Sequence, residues 1–152
     1  MAKYIAGSVT QVWPGIFSGS AMIANPPAWK RGANIDIAFV MSRSTYMDYG
    51  WHTVQGVVPL YFDDTPEGLT VGQVARLIRT LHVYSNARVA CLCQAGLNRS
   101  SFVACLYRWL HTNHSMANIV RELTDARVKD GVYDVLCNRA FVADLLSCDY
   151  KS

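Results

Sequence analysis

Cys93-Gln94-Ala95-Gly96-Leu97-Asn98-Arg99-Ser100 puts a sulfur nucleophile, a glycine and a guanidinium into one short stretch. A Cys and an Arg six positions apart mean little by themselves. The setting gives them meaning: the apolar run Val89-Ala90-Cys91-Leu92 comes before, and a helical pattern begins near Ser101. A loop between a strand and a helix can turn successive N–H groups inward, and the helix adds its positive end, so the loop favours an anion such as phosphate. The same field favours the thiolate form of Cys93, which makes it a nucleophile at neutral pH. Gly96 permits backbone geometry that a Cβ would obstruct, and Arg99 offers a planar fork for two phosphoryl oxygens. Ser100 places a hydroxyl near the sulfur, where it can stabilise a departing thiolate. The backbone and side chains from Gln94 to Arg99 form the expected phosphate cradle.

A departing alkoxide or phenoxide needs a proton, and this cradle contains no acid to give one. The loop Tyr61-Phe62-Asp63-Asp64-Thr65-Pro66-Glu67-Gly68 follows an apolar strand upstream and carries two candidates, Asp63 and Asp64. Other titratable residues are less suggestive. His52, His82, His111 and His114 show no metal-ligand spacing, and Arg121, Arg127 and Lys129 read as surface charge on and after a helix, with a secondary reading as anion contacts near the cleft.

The elements that must hold these groups are visible in the pattern. Gln11-Val12-Trp13 and Ile16-Phe17-Ser18-Gly19 flank Pro14-Gly15 and predict a short antiparallel edge, with Trp13 and Phe17 in the core. Asn25-Pro26-Pro27 predicts a helix start, with Asn25 as N-cap and an end at Gly32. Residues 35–40 and 54–60 read as buried strands, and residues 41–52 as a loop with at most a short helical turn. Thr70 to Gln73 has capping-box spacing ahead of Val74, Leu77, Ile78 and Leu81. Helices are expected through Phe102–Leu110, through Met116–Leu123 and through Val135–Leu146. Strands alternating with helices, then helices alone, predict an α/β fold: a small central, largely parallel sheet with helices on both faces. In such sheets ligands bind beyond the carboxyl ends of the strands, which is where Cys93 falls.

The chain has 152 residues, 51% apolar and 16% charged, a balance that predicts one domain, residues 1–152, with a real core. A net charge of +3 suits anionic substrates without arguing for nucleic acid. Five cysteines without paired spacing, and a start without a signal-peptide apolar core, predict a reducing, intracellular (cytoplasmic) setting. No apolar run approaches a membrane span.

The stretch from Cys93 to Ser100 resembles the signature of the cysteine-dependent protein tyrosine phosphatase superfamily, and in particular its compact dual-specificity phosphatases. The likeness extends over most of the chain, including the opening strand, the Pro14-Gly15 turn and a second strand running into Gly19-Ser20. It implies a phospho-cysteine intermediate at Cys93, phosphate binding by Arg99 and the loop, assistance from Ser100, and no cofactor or metal. It also implies a general acid on a loop upstream, commonly an Asp followed by Ser, Thr, Asn or His. Asp64 before Thr65 matches that pattern better than Asp63. The family usually has His before the nucleophile, where this chain has Leu92, a departure that changes the sulfur's surroundings. The implied substrates are phosphotyrosine, and with it phosphoserine or phosphothreonine, in proteins. Gly96-Leu97-Asn98-Arg99 also resembles the loop of the cysteine-dependent RNA 5′-triphosphatases, and a phosphate-binding pseudophosphatase is a further alternative. Uncharged Gln94, Leu97 and Asn98 speak against phosphoinositides, which such enzymes usually meet with basic residues there.

Overall fold

The structure is a computed structural model, and it describes residues 8–22 and 26–150. Asn25, the expected N-cap, lies outside the described residues.

Five strands form one sheet: β1 (Thr10–Trp13), β2 (Ile16–Ser20), β3 (Ile37–Val40), β4 (Val57–Pro59) and β5 (Val89–Cys93). Their spatial order is β1-β2-β5-β3-β4. β1 pairs with β2 antiparallel, while β2–β5, β5–β3 and β3–β4 are parallel. β5 is therefore central, and its residues 89 to 93 are all buried. That explains its unbroken apolar character. Its side chains alternate between two cores: Val89, Cys91 and Cys93 join the larger one, and Ala90 and Leu92 the smaller.

The larger core lies beneath α3 (Val71–His82), α4 (Arg99–Leu110), α5 (Met116–Lys129) and α6 (Arg139–Leu146). The smaller core gathers Trp51, Ile35, Val40 and Leu92, with Trp29 of α1 (Pro26–Gly32) and Tyr46 of α2 (Arg43–Asp48) packed against it. Helices thus cover both faces of a largely parallel sheet, as the alternation of elements predicts. The Thr70 capping box is present, with Gln73 N–H donating to Thr70 Oγ1 at 3.1 Å and Thr70 N–H donating to Gln73 Oε1 at 2.8 Å.

Three segments depart from the sequence reading. Of residues 54–60 only Val57–Pro59 pair as a strand, and as the sheet's edge they are half-buried or exposed rather than buried. Residues 41–52 are more ordered than a loop: they hold α2 and a 3-10 turn, Trp51–Thr53. Trp51 is the reason, being fully buried with its indole N–H donating to Ala21 O at 3.1 Å. The last helix begins at Arg139 rather than near Val135, because Asp134 and Leu136 adopt positive φ (61° and 56°) and Asn138 caps the helix through Phe141 N–H. Val135 and Leu136 reach the core from the turn instead. Among the described residues, no helix is long and apolar enough to cross a membrane.

Candidate active site

Cys93 ends β5 at the carboxyl edge of the parallel strands, opposite Ser20 of β2. Its side chain is only 2% exposed, and its Sγ accepts the N–H groups of Gly96 and Ser100, each at 3.3 Å. The loop between them is shaped by where its carbonyls go. Cys93 O accepts from Ala21 N–H at 2.9 Å, and Gln94 O from Ser20 Oγ at 2.6 Å. Gly96 O accepts from Arg127 Nη2 at 2.7 Å, and Leu97 O from Leu136 N–H at 3.1 Å. In a trans peptide the N–H points away from the preceding C=O, and no described peptide bond is cis. The N–H groups of Gln94, Ala95, Leu97 and Asn98 are thereby turned away from those four anchors. Donors turned away from their anchors in this way suit an anion.

Two glycines make the loop possible. Gly96 has φ +74°, and a Cβ there would sit 2.5 Å from Gly19 C and Ser20 N. A Cβ on Gly19 would meet Ser8 O and Val9 Cα at 2.5 Å, so β2 is pressed between the loop and the chain's N-terminal side.

Arg99 opens α4, is partly buried, and donates from Nη1 to Phe62 O at 3.4 Å. Ser100 is fully buried, and among the described residues its hydroxyl has no partner while its N–H serves the sulfur. The residue whose N–H meets Sγ thus keeps an uncommitted hydroxyl, as the expected assistance to a departing thiolate would require. Gln94 is exposed at the loop's outer side. Leu92, where the resemblance leads one to expect His, is fully buried in the smaller core, on the sheet face opposite Cys93.

Asp64 and Asp63 are both exposed, but only Asp64 is tied to the cradle. Its Oδ2 accepts from Asn98 Nδ2 at 2.8 Å and its Oδ1 from Asn138 Nδ2 at 2.7 Å. The loop that carries Asp64 is fastened at both ends. Phe62 packs edge-on against Phe102 and Phe141, and Leu69 N–H donates to Asp144 Oδ2 at 3.0 Å.

The structure corrects the reading of Arg127. It is fully buried. Nη1 donates to Ser18 O at 2.8 Å, to Thr10 Oγ1 at 2.9 Å and to Ser8 O, while Nη2 holds Gly96 O. Burial pulls its pKa down to about 10, against the opposing pull of Asp130 and Cys93, so it stays charged at neutral pH. A cation therefore lies behind the cradle as well as in it. The signal was present in the sequence, because Arg127 continues the buried Met116-Ile119-Leu123 stripe of α5. Arg127→Met should strand Gly96 O and Ser18 O, at about 1–3 kcal/mol each. Relief of the buried charge offsets part of that, so chemical denaturation should register a loss of about 2 kcal/mol or more.

Arg121 and Lys129 are exposed, in keeping with surface charge. Of the histidines, His82 and His111 stack at 6.3 Å between α3 and α4, and His111 also approaches Leu81 O at 3.2 Å. Among the described residues, no three His, Cys, Asp or Glu side chains converge as a metal site. Cys91, Cys93, Cys105 and Cys137 are free thiols; burial raises the pKa of Cys91 and Cys105, the former raised further by Cys93, and Cys137 is exposed.

No protein-family model and no curated protein matches the chain. Solved structures do. Human DUSP28 superposes with a TM-score of 0.76 at 20% identity, covering 99% of this chain and 98% of its own. OH1 from the Orf virus, described as a tyrosine phosphatase with triple substrate specificity, gives 0.66 at 21% identity over 97% of this chain and 90% of its own. The human tyrosine phosphatase-like serine/threonine/tyrosine-interacting protein gives 0.71 at 12% identity, over 94% and 96%. With Cys93, Arg99 and the loop between them at the carboxyl edge of its sheet, this chain has the fold of the dual-specificity and tyrosine phosphatases.

Proposed function

We propose that residues 1–152 act as one catalytic domain, a metal-independent, cysteine-dependent phosphatase of phosphotyrosine and of phosphoserine or phosphothreonine in proteins. The observation that carries this reading is the cradle itself: four carbonyls are tied outward, and Sγ lies where Gly96 and Ser100 N–H meet. The Cys93 thiolate attacks phosphorus, and an S–P bond forms as the ester P–O bond breaks. Arg99 and the loop N–H groups hold the non-bridging oxygens, whose charge they neutralise. Asp64 gives its proton to the departing oxygen, then takes one from the water that cleaves the S–P bond. The Ser100 hydroxyl stabilises the thiolate as it leaves. Free thiols at Cys91, Cys93, Cys105 and Cys137 suit a reducing, cytoplasmic setting, and phosphoproteins are the proposed partners.

The substrate class follows from charge. Gln94, Leu97 and Asn98 are neutral, so Arg99 is the loop's own cation, enough for one phosphoryl dianion and thin for a triphosphate or a multiply phosphorylated inositol. In reductant and EDTA, kcat/KM should rank phosphotyrosine peptide first and phosphothreonine or phosphoserine peptide second. Phosphoinositide and RNA with a 5′-triphosphate should come last. If the RNA is preferred by about tenfold or more, the likeness of Gly96-Leu97-Asn98-Arg99 to the RNA triphosphatases was the meaningful one. Absence of turnover on every substrate, with phosphopeptide binding retained, would make the protein a phosphate-binding pseudophosphatase.

A further inference from the structure

Asn98 belongs to the phosphate loop by its backbone, but its side chain is engaged elsewhere. Its Oδ1 accepts Asn138 N–H at 3.1 Å, which leaves Nδ2 to face Asp64 Oδ2 at 2.8 Å. Asn138 is fixed in the same way. Its Oδ1 caps α6 by accepting Phe141 N–H at 3.2 Å, so its Nδ2 is the group that donates to Asp64 Oδ1 at 2.7 Å and to Thr65 O at 2.8 Å. Neither amide can flip without losing a backbone bond. One donor on each carboxyl oxygen fixes both the place and the plane of a group that lies on an exposed loop. An exposed side chain otherwise samples several rotamers, and proton transfer within a reacting complex needs one of them.

The geometry points to Asn98 and Asn138 as positioning residues for the general acid, together orienting the Asp64 carboxyl toward the phosphate loop. This rests on the proposed role of Asp64. The two amides come from different elements, the loop before α4 and the turn before α6, so they join the acid loop to both. The chemical consequence is specific. Orientation of the acid matters only where the leaving oxygen needs a proton, and hardly at all where the leaving group is already a weak base.

The test uses the full chain with Asn98→Ala and with Asn138→Ser, since serine keeps the α6 cap but cannot reach Asp64. Each is assayed on phosphotyrosine and on a series of aryl phosphates running to the acidic nitrophenols, alone and combined with Asp64→Ala. On phosphotyrosine each single variant should lose about tenfold to a hundredfold in kcat with KM nearly unchanged. On the most acidic leaving groups the loss should be within about twofold, and in the Asp64→Ala background neither substitution should have a further effect. A loss equal across all leaving groups, or one that persists without Asp64, would assign the asparagines to support of the loop and overturn the inference. If Asp64→Ala itself shows no dependence on the leaving group, the acid assignment falls and takes this inference with it. The two failures are thus told apart.

Discussion

Cys93→Ser should abolish turnover of phosphotyrosine peptide while the protein stays folded. The sulfur is 2% exposed and its bonding is simple, two backbone N–H groups at 3.3 Å. A serine oxygen can occupy the same place, so the loop, held by carbonyls tied to Ala21, Ser20, Arg127 and Leu136, keeps its shape. The chemistry does not survive the change. An alcohol oxygen is a far weaker nucleophile toward phosphorus than a cysteine sulfur, and a poorer leaving group from it, so the phospho-enzyme neither forms nor breaks down at a useful rate. Binding and turnover should therefore separate: the variant retains phosphopeptide, measured by calorimetry, and shows an unchanged thermal transition. Turnover within about tenfold of the parent would remove Cys93 from the nucleophile's role.

Asp64→Ala should lower kcat on phosphotyrosine by roughly 10² to 10⁴, the usual size of a general-acid effect, and leave KM nearly unchanged. The side chain is exposed, and its two partners are surface amides, so little stability depends on it. The leaving group supplies the sharper sign: on aryl phosphates with acidic nitrophenol leaving groups, which need no proton, the variant should keep most of its turnover. Asp63 is exposed one position away and has the same chemistry, but is not joined to Asn98 or Asn138. Should Asp63→Ala give this pattern and Asp64→Ala fail to, the neighbour is the acid.

What could be read from the sequence was whatever depends on neighbours along the chain. The strand ending at Cys93, the loop after it and the Thr70 cap each declare themselves within a few residues, and the alternation of strands and helices leads to the sheet actually formed. The missing parts depend on residues far apart. Arg127 looks like ordinary helix charge until Gly96 and Ser18 are brought to it, although its place on an apolar stripe was a hint. Asn138 was hidden by the apolar Val135-Leu136, which carried the helical pattern across a turn whose positive φ angles no periodicity reveals. The order within residues 41–52 depends on Trp51, whose indole finds its partner in Ala21, thirty residues away.

The bond from Arg127 to Gly96 also sets a timetable for biosynthesis. A ribosome releases the N-terminal hairpin first, then β5 with Cys93, and only later the end of α5. β5 must enter between β2 and β3, a non-local pairing that is slow to form. Until residue 127 is free of the exit tunnel, Gly96 O lacks its guanidinium and the loop lacks one of its four carbonyl anchors. A nascent chain thus presents Cys93 to solvent well before the elements that leave it 2% exposed in the folded protein are in place.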